Sequence, residues 1–458
     1  MKSYNGLFAK MTDRKDAVAA IEEAARYKTK RKAVQNILAR REEKAEELCQ
    51  KLERGEWYPP HHEKHRIQEG SHKKVREIVK PRFDDEQLVH HMVARQLRPI
   101  VTARLYRYAY GSLPGRGTHA AVRAMKRWRD GYGGKRFYVF EGDIKSFYDT
   151  VDAELLKAML GRRIRDKRYL EVLYRVIDGA GPGLPKGFYT SPWLANLYME
   201  GLDSYVTQFL RPDHYLRYMD NLFIFHRNKR ALHRMVEQLA AYLERKLHLR
   251  LKADWQVYRF EAARKQSGKA KGRAINALGF VIHRDRVGVR KSILKRVRGK
   301  ARRMHRRGRY TRYDAASMLS RMGVFRHADA YNYYLAHIKP MVNIRKCKRR
   351  VAAAAKQEKV RAKNDRLENC AWQSRRHPGG AGHHVQQLHG LRAAEHPAGD
   401  GDGGQRRDRR RGGTVGVRAE GVYPGGVHHD ACARDTERAA GAEQHRAGYR
   451  HAGIGGAP

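Results

Sequence analysis

Cysteine is scarce in this chain. Four residues in 458 (Cys49, Cys347, Cys370, Cys432) lie far apart and never in a CxxC spacing, which argues against a disulfide framework or a zinc site. No apolar run approaches the ~18 residues that span a bilayer. The start, MKSYNGLFAKMTDRKDAV, lacks the apolar stretch of a secretory signal. A cytoplasmic location and no membrane partner are the expectations. Negative charge is short as well, with 48 Asp plus Glu against 97 Lys plus Arg, net +49. Such a surplus does not suit a small neutral substrate and implies a polyanion partner, most simply nucleic acid. Familiar catalytic signatures are missing too. GSLPGRG and GAGPGLPKG are glycine-rich, but neither continues into the GK[ST] of a phosphate loop, and there is no GxSxG or HExxH.

Lysine disappears after residue 370. Residues 371–458 hold 19 of the 42 glycines, 13 arginines, nine histidines, two leucines, one isoleucine and no Phe or Met. A stretch of this kind cannot bury enough apolar surface to offset its ordering entropy and is expected to be disordered. Its 13 arginines against nine carboxylates leave +4 there and +45 on residues 1–370, so the polyanion argument belongs to the folded part. Read-through of a GC-rich gene in a shifted frame would give this composition; so would an Arg/Gly-rich RNA-binding tail.

What is present has a clear order. Residues 13–54 carry apolar positions at helical intervals (Val18, Ile21, Ala25, Val34, Ile37, Leu38, Leu48), and EWYPP at 56–60 stops them. VREIVKPRF at 75–83 reads as a short strand entering a loop, and 84–107 and 118–130 as helices. FYVFEGDI at 137–144 is a buried strand by its aromatic and β-branched content. A helix is expected across 153–177, a turn-rich loop at 179–187, and a helix opening on Thr190 or Ser191 with Pro192 in its first turn. HYLRYMDNLFIFH at 214–226 reads as two strands around a tight turn. A helix follows at 231–249, then a flexible basic connection at 265–273 between two strands. Residues 290–350 are helical, basic and interleaved with aromatics.

Two aspartates stand out. Asp143 ends a buried strand and Asp220 sits in the YMDN turn. A sheet that sets these strands side by side brings both carboxylates to one edge, where they can hold two Mg2+ ions about 4 Å apart for phosphoryl transfer. Either aspartate alone would be an ordinary turn residue.

The ordered segments VREIVKPRFDDEQLVHHMVARQLRPI, YGSLPGRGTHAAVRAM, YVFEGDIKSFYDTVD, GLPKGFYTSPWLANLYMEGLD, YLRYMDNLFIF, LRLKADWQVYRF, LGFVI and VRKSILKRV, over roughly residues 70–300, resemble bacterial reverse transcriptases. The chain looks most like the polymerases of diversity-generating retroelements, with group II intron and retron enzymes as neighbours. The resemblance implies an α+β right-hand polymerase fold: fingers, a four-stranded antiparallel palm sheet with helices on one face, and a helical thumb. It implies the division 1–65 N-terminal helical extension, 66–288 fingers and palm, 289–365 basic thumb, and 371–458 tail.

The roles it implies are these. Asp143, Asp220 and the carbonyl of Ile144 hold two Mg2+ ions. Tyr148 is the steric gate against a ribose 2′-OH. Arg76, Lys80 and Gly187 meet the incoming deoxynucleoside triphosphate, and Lys186 would touch that triphosphate or the template strand. Ser191, Pro192 and Asn196 shape the floor under the base. Leu278, Gly279 and Phe280 form the primer grip, and Lys291, Lys295 and Arg296 of the thumb contact the phosphates of the RNA template and DNA or RNA primer. A small basic accessory protein is an implied partner of the retroelement form.

The chain departs from the family at three places. Asn221 stands where the second motif aspartate is usual, and a neutral amide is a poorer Mg2+ ligand. Lys186 stands where Gln or an apolar residue is usual. TSP replaces the TSQ of the retroelement group. The implied activity is RNA-directed DNA synthesis. The alternative is a weakened or inactive RNA-binding, maturase-like protein on the same fold.

Overall fold

A computed structural model describes residues 3–69, 74–179, 181–261, 272–357 and 360. The tail 371–458, with Cys370 and Cys432, and most of the basic connection at 265–273 lie outside these residues. Among the described residues no helix is long and apolar enough to cross a membrane.

The helical tract at the N-terminus is four helices, α1 Leu7–Met11, α2 Arg14–Ala25, α3 Lys32–Ala39 and α4 Arg41–Glu53. Tyr27 at φ 65° and Arg40 at φ −122° break it where its periodicity gave no warning. Asp13 caps α2 by accepting from the Asp16 amide at 3.0 Å. A hairpin of β1 Lys64–Glu69 and β2 Lys74–Val79 follows. Strand β1 escaped the sequence reading because KHRIQE has one apolar residue and no alternation. It also crosses the boundary expected at residue 65.

Helix α5, Asp85–Thr102, packs on α2, which in turn packs on α4. Ala17, Ile21 and Leu48 share one core with Leu88 and Met92, so the N-terminal helices belong to the same body as the fingers. His90 and His91 are interior packing groups here. His90 tilts against Phe188 at 4.4 Å and His91 stacks on Tyr189 at 3.7 Å between ring centres.

The central sheet is built from β3 Ala109–Tyr110, β4 Tyr138–Asp143, β5 His214–Tyr218, β6 Asn221–His226 and β7 Gln256–Arg259, in the order β3-β5-β6-β4-β7. The expected four antiparallel strands are therefore five. The two-residue β3, too short to leave a pattern, joins β5 in parallel. Nor are helices confined to one face. On β6, Leu222 and Ile224 enter one core while Phe223 and Phe225 enter another, the two-residue alternation of a strand buried on both sides.

The first core is closed by α5, α8 Ala153–Gly161, α9 Lys167–Asp178, α10 Ser191–Tyr198, α11 Glu200–Tyr205 and α12 Lys229–Leu247. The second is closed by α6 Thr118–Gly131 and a small sheet of β8 Ile275–Ala277, β9 Phe280–Ile282 and β10 Val287–Val289. The short α7, Phe147–Thr150, lies between β4 and α8. The helix expected over 153–177 is split into α8 and α9 by Asp166, which caps α9 by accepting from the Tyr169 amide at 3.1 Å.

The C-terminal helices have their own core. α13 Lys291–Arg306 and α14 Arg312–Met322 bury Val297, Ala301, Met304, Ala315 and Met318. A buried Lys300–Asp314 ion pair at 2.6 Å ties them together, and its hydrogen bond holds the Asp314 carboxyl well below the usual range. α15, Tyr331–His337, packs Tyr333 and Tyr334 on this core and leaves Tyr331 exposed.

Candidate active site

The site is assembled by strand register. Antiparallel pairing of β4 with β6 sets Asp143 directly opposite Asn221. The Ile144 amide then donates to the carbonyl of Asp220 at 3.2 Å. Two residues 77 positions apart in sequence thus become neighbours at one end of the sheet. Asp220 lies in the two-residue turn between β5 and β6. Its predecessor Met219 adopts φ 54°, a region an L side chain rarely occupies.

The donor set suits a hard cation. Oδ1 of Asp143 is buried and has no hydrogen-bond partner among the described residues, an acceptor that costs free energy until a cation or donor reaches it. Oδ2 of the same carboxylate is paired with the Lys252 ammonium. Lys252 is also tied by its backbone, its amide donating to the Asp143 carbonyl at 2.8 Å. The Asn221 side-chain amide donates to Asp220 Oδ1 at 3.3 Å, so at this position the asparagine supports its neighbour's carboxylate. Among the described residues no group of three or more His, Cys, Asp or Glu side chains is placed to hold a metal. The hard oxygen donors at this sheet end are the carboxylates of Asp143 and Asp220. That set matches Mg2+, which binds through one or two carboxylates and keeps waters and substrate phosphates as its other ligands.

Tyr148 follows in α7, five residues after Asp143. Its hydroxyl is pushed well above the usual phenol range by burial, with the nearby Asp220 charge adding to it, so it stays protonated. Its carbonyl accepts from Leu184 at 2.6 Å, which fastens the start of the GLPKG loop to α7. The other end of that loop reaches the fingers, where the Val79 amide donates to the Lys186 carbonyl at 2.8 Å. Gly187 is required there. It has φ 119°, and a Cβ would overlap the Val79 carbonyl oxygen. Lys80 is exposed, one residue beyond this contact. Arg76 lies on β2 opposite Ile67. The Lys186 ammonium is held by both Asp149 oxygens, at 2.8 and 2.6 Å, which directs it to α7.

Ser191 and Asn196 are interior residues, 1% and 0% exposed. The Ser191 hydroxyl donates to the Pro185 carbonyl at 2.7 Å, and the Asn196 amide donates to the Pro192 carbonyl at 2.9 Å. Neither can touch a template strand directly. They lie beneath the surface and shape it from below, and Pro192, half-buried, opens the helix above them. Leu278 and Gly279 form the β8–β9 turn at φ 52° and 88°, and Phe280 is buried. The Gly279 carbonyl accepts from the Arg290 amide at 2.9 Å, joining this hairpin to the start of α13. On α13, Lys291, Lys295 and Arg296 are exposed, while Val297, Ala301 and Met304 face inward.

Sequence reasoning missed three residues. Lys252 lay in a stretch read only for its family pattern, and Arg217 and Asp203 looked like ordinary charged neighbours of apolar segments. In YLRYMD an arginine sits between Leu216 and Tyr218 inside a strand, and that interruption of an apolar run was the available signal.

Residues 64–272 match the family described as reverse transcriptase (RNA-dependent DNA polymerase). The group II intron-encoded protein LtrA of Lactococcus lactis is 30% identical over 177 residues, 36% of this chain and 29% of that protein. Protein YkfC of Escherichia coli is 31% identical over 147 residues, 30% of this chain and 38% of that one. The chain therefore spans about a third of the length of these relatives. Among solved structures, apo telomerase from Candida tropicalis aligns with a TM-score of 0.38 at 14% identity, over 49% of this chain and 53% of that one. The resemblance to the polymerases of diversity-generating retroelements rests on the sequence motifs alone. Over residues 64–272, then, this chain matches the reverse transcriptase family and is similar to a bacterial intron-encoded protein.

Proposed function

We propose that this chain is an RNA-directed DNA polymerase that extends a primer 3′-hydroxyl with deoxynucleoside triphosphates. One observation carries the reading. The β4–β6 register places Asp143 and Asp220 at one sheet end, with an unpartnered buried oxygen on Asp143. Asp143, Asp220 and the Ile144 carbonyl would hold two Mg2+ ions, which lower the pKa of an attacking hydroxyl and offset charge on the departing pyrophosphate. The chain's own residues do the rest. Tyr148, neutral and anchored through its carbonyl, would occupy the space of a ribose 2′-OH. Arg76 on strand β2 and Lys80 just beyond its end would meet the triphosphate. Lys291, Lys295 and Arg296 would neutralise phosphates of the template–primer duplex, with binding that weakens steeply as salt rises.

A second reading is favoured by Asn221 and by the 28% identity, over 103 residues, to the nuclear intron maturase 1 of Arabidopsis thaliana. In that reading the chain binds RNA and has lost catalysis. Primer extension by the full chain on an RNA template with Mg2+ separates the two. The expected result is extension by the native protein, raised several-fold in Asn221→Asp. Extension by Asn221→Asp alone, or by neither in protein that still binds RNA, would favour the maturase-like reading.

Tyr148→Val provides a specific check on the nucleotide site. Discrimination between deoxy- and ribonucleotides is expected to fall about 10- to 100-fold, the range for removing a steric contact. Competing incorporation of the two nucleotides on one template measures it, with deoxynucleotide incorporation near the native rate.

A further inference from the structure

Beneath the turn that carries Asp220 lies a guanidinium cut off from solvent. Arg217, on β5, is 0% exposed. Its Nε and Nη2 donate to the two Asp203 oxygens at 2.8 and 2.7 Å, and its Nη1 donates to Asn196 Oδ1 at 3.1 Å and to the Met219 carbonyl at 3.3 Å. Asp203, 3% exposed, also accepts from the Tyr215 hydroxyl at 2.9 Å.

A buried ion pair of this kind is a weak stabiliser. Desolvation offsets most of the attraction, and uncharged replacements of similar volume are often as stable. Its contact with the Met219 carbonyl suggests a different use. Met219 is held in its left-handed conformation by several independent attachments. Its amide donates to the Tyr110 carbonyl at 3.0 Å. Its side chain lies over Gly111, where a Cβ would sit 2.6 Å from Met219 Cγ. Its sulfur accepts the Asn196 amide at 3.7 Å. A strained backbone persists only where its surroundings over-determine it, and the next residue is Asp220.

We infer that Arg217 is a positioning residue for the candidate metal site. By gripping the Met219 carbonyl it fixes the turn, and so the direction in which Asp220 meets Asp143. This rests on the polymerase reading of that site. The Asp203 carboxylate holds the guanidinium in place, and Asn196 links it to α10.

The test uses the full chain carrying Arg217→Met together with Asp203→Asn, and separately Arg217→Lys. The double variant leaves no uncompensated buried charge, and an asparagine at 203 still accepts from Tyr215. Lysine keeps a charge against Asp203 but lacks the planar fork that serves two acceptors at once. Mn2+ binding is read by electron paramagnetic resonance, beside thermal melting and RNA binding. Both variants are expected to melt near the native temperature, bind RNA as the native protein does, and bind Mn2+ about tenfold more weakly, equivalent to about 1.4 kcal/mol. Raising the metal concentration is then expected to restore part of the primer extension. Native Mn2+ affinity in either folded variant would overturn the inference. So would a native protein whose Mn2+ binding does not depend on Asp143. If the native protein binds Mn2+ through Asp143 and the variants weaken it, yet no protein extends a primer, the positioning role stands and the polymerase reading fails.

Discussion

Asp220→Ala is expected to lower primer extension by at least about a thousandfold while leaving RNA binding unchanged. The site has two carboxylates and no third among its described neighbours, so each supplies a large share of the negative charge that would hold the metals. A thousandfold loss corresponds to about 4 kcal/mol of barrier, in keeping with the several kcal/mol a bound divalent ion contributes to charge stabilisation. Asn221 cannot substitute, since it carries no charge and a neutral amide is a poorer ligand for Mg2+. The binding surface does not depend on this residue, because the cations of α13 stand on a separate helix with its own core. Filter binding and single-turnover extension on the same preparation measure both quantities. Extension by Asp220→Ala within tenfold of native would remove the two-carboxylate site from the reaction.

Arg217→Met alone is expected to cost about 3–5 kcal/mol of stability, because it leaves the Asp203 charge buried and uncompensated. For a domain of this size each kcal/mol shifts the melting temperature by about 2–4 °C, so the midpoint should fall by about 6–20 °C. Adding Asp203→Asn should recover most of that loss, since the unpaired charge is then gone. The contrast separates two consequences of one residue. Stability follows the charge balance between 203 and 217, whereas metal affinity follows the contact with the Met219 carbonyl. A single variant that melts within about 2 °C of native would mean that water or a neighbouring group reaches Asp203.

Much of this protein was determined by the sequence alone. The surplus of Lys and Arg and the missing acidic residues pointed to a polyanion before any fold was in view. The order of segments from VREIVKPRF to VRKSILKRV carried the resemblance, and with it Tyr148, while Asp143 and Asp220 were legible because strand ends and tight turns leave local marks. Those marks arise from short-range constraints: alternation along a strand, proline and glycine at breaks, and a small polar residue at a cap.

The tertiary structure decided what those constraints cannot reach. Pairing register brought Asp143 opposite Asn221 and set Lys252 against Asp143. The two-residue β3 became a fifth strand only because β5 was there to receive it. KHRIQE became a strand through its hairpin partner, not through its own pattern. Ser191 and Asn196, expected to shape the floor under the base, are interior, since burial on a helix depends on what packs against it. Lys186 was drawn to Asp149, and Arg217 found its acceptors on α10, α11 and its own turn. In each case the deciding contact joins residues distant in the chain or in different elements, and local sequence carries no energy term for a partner that only folding supplies.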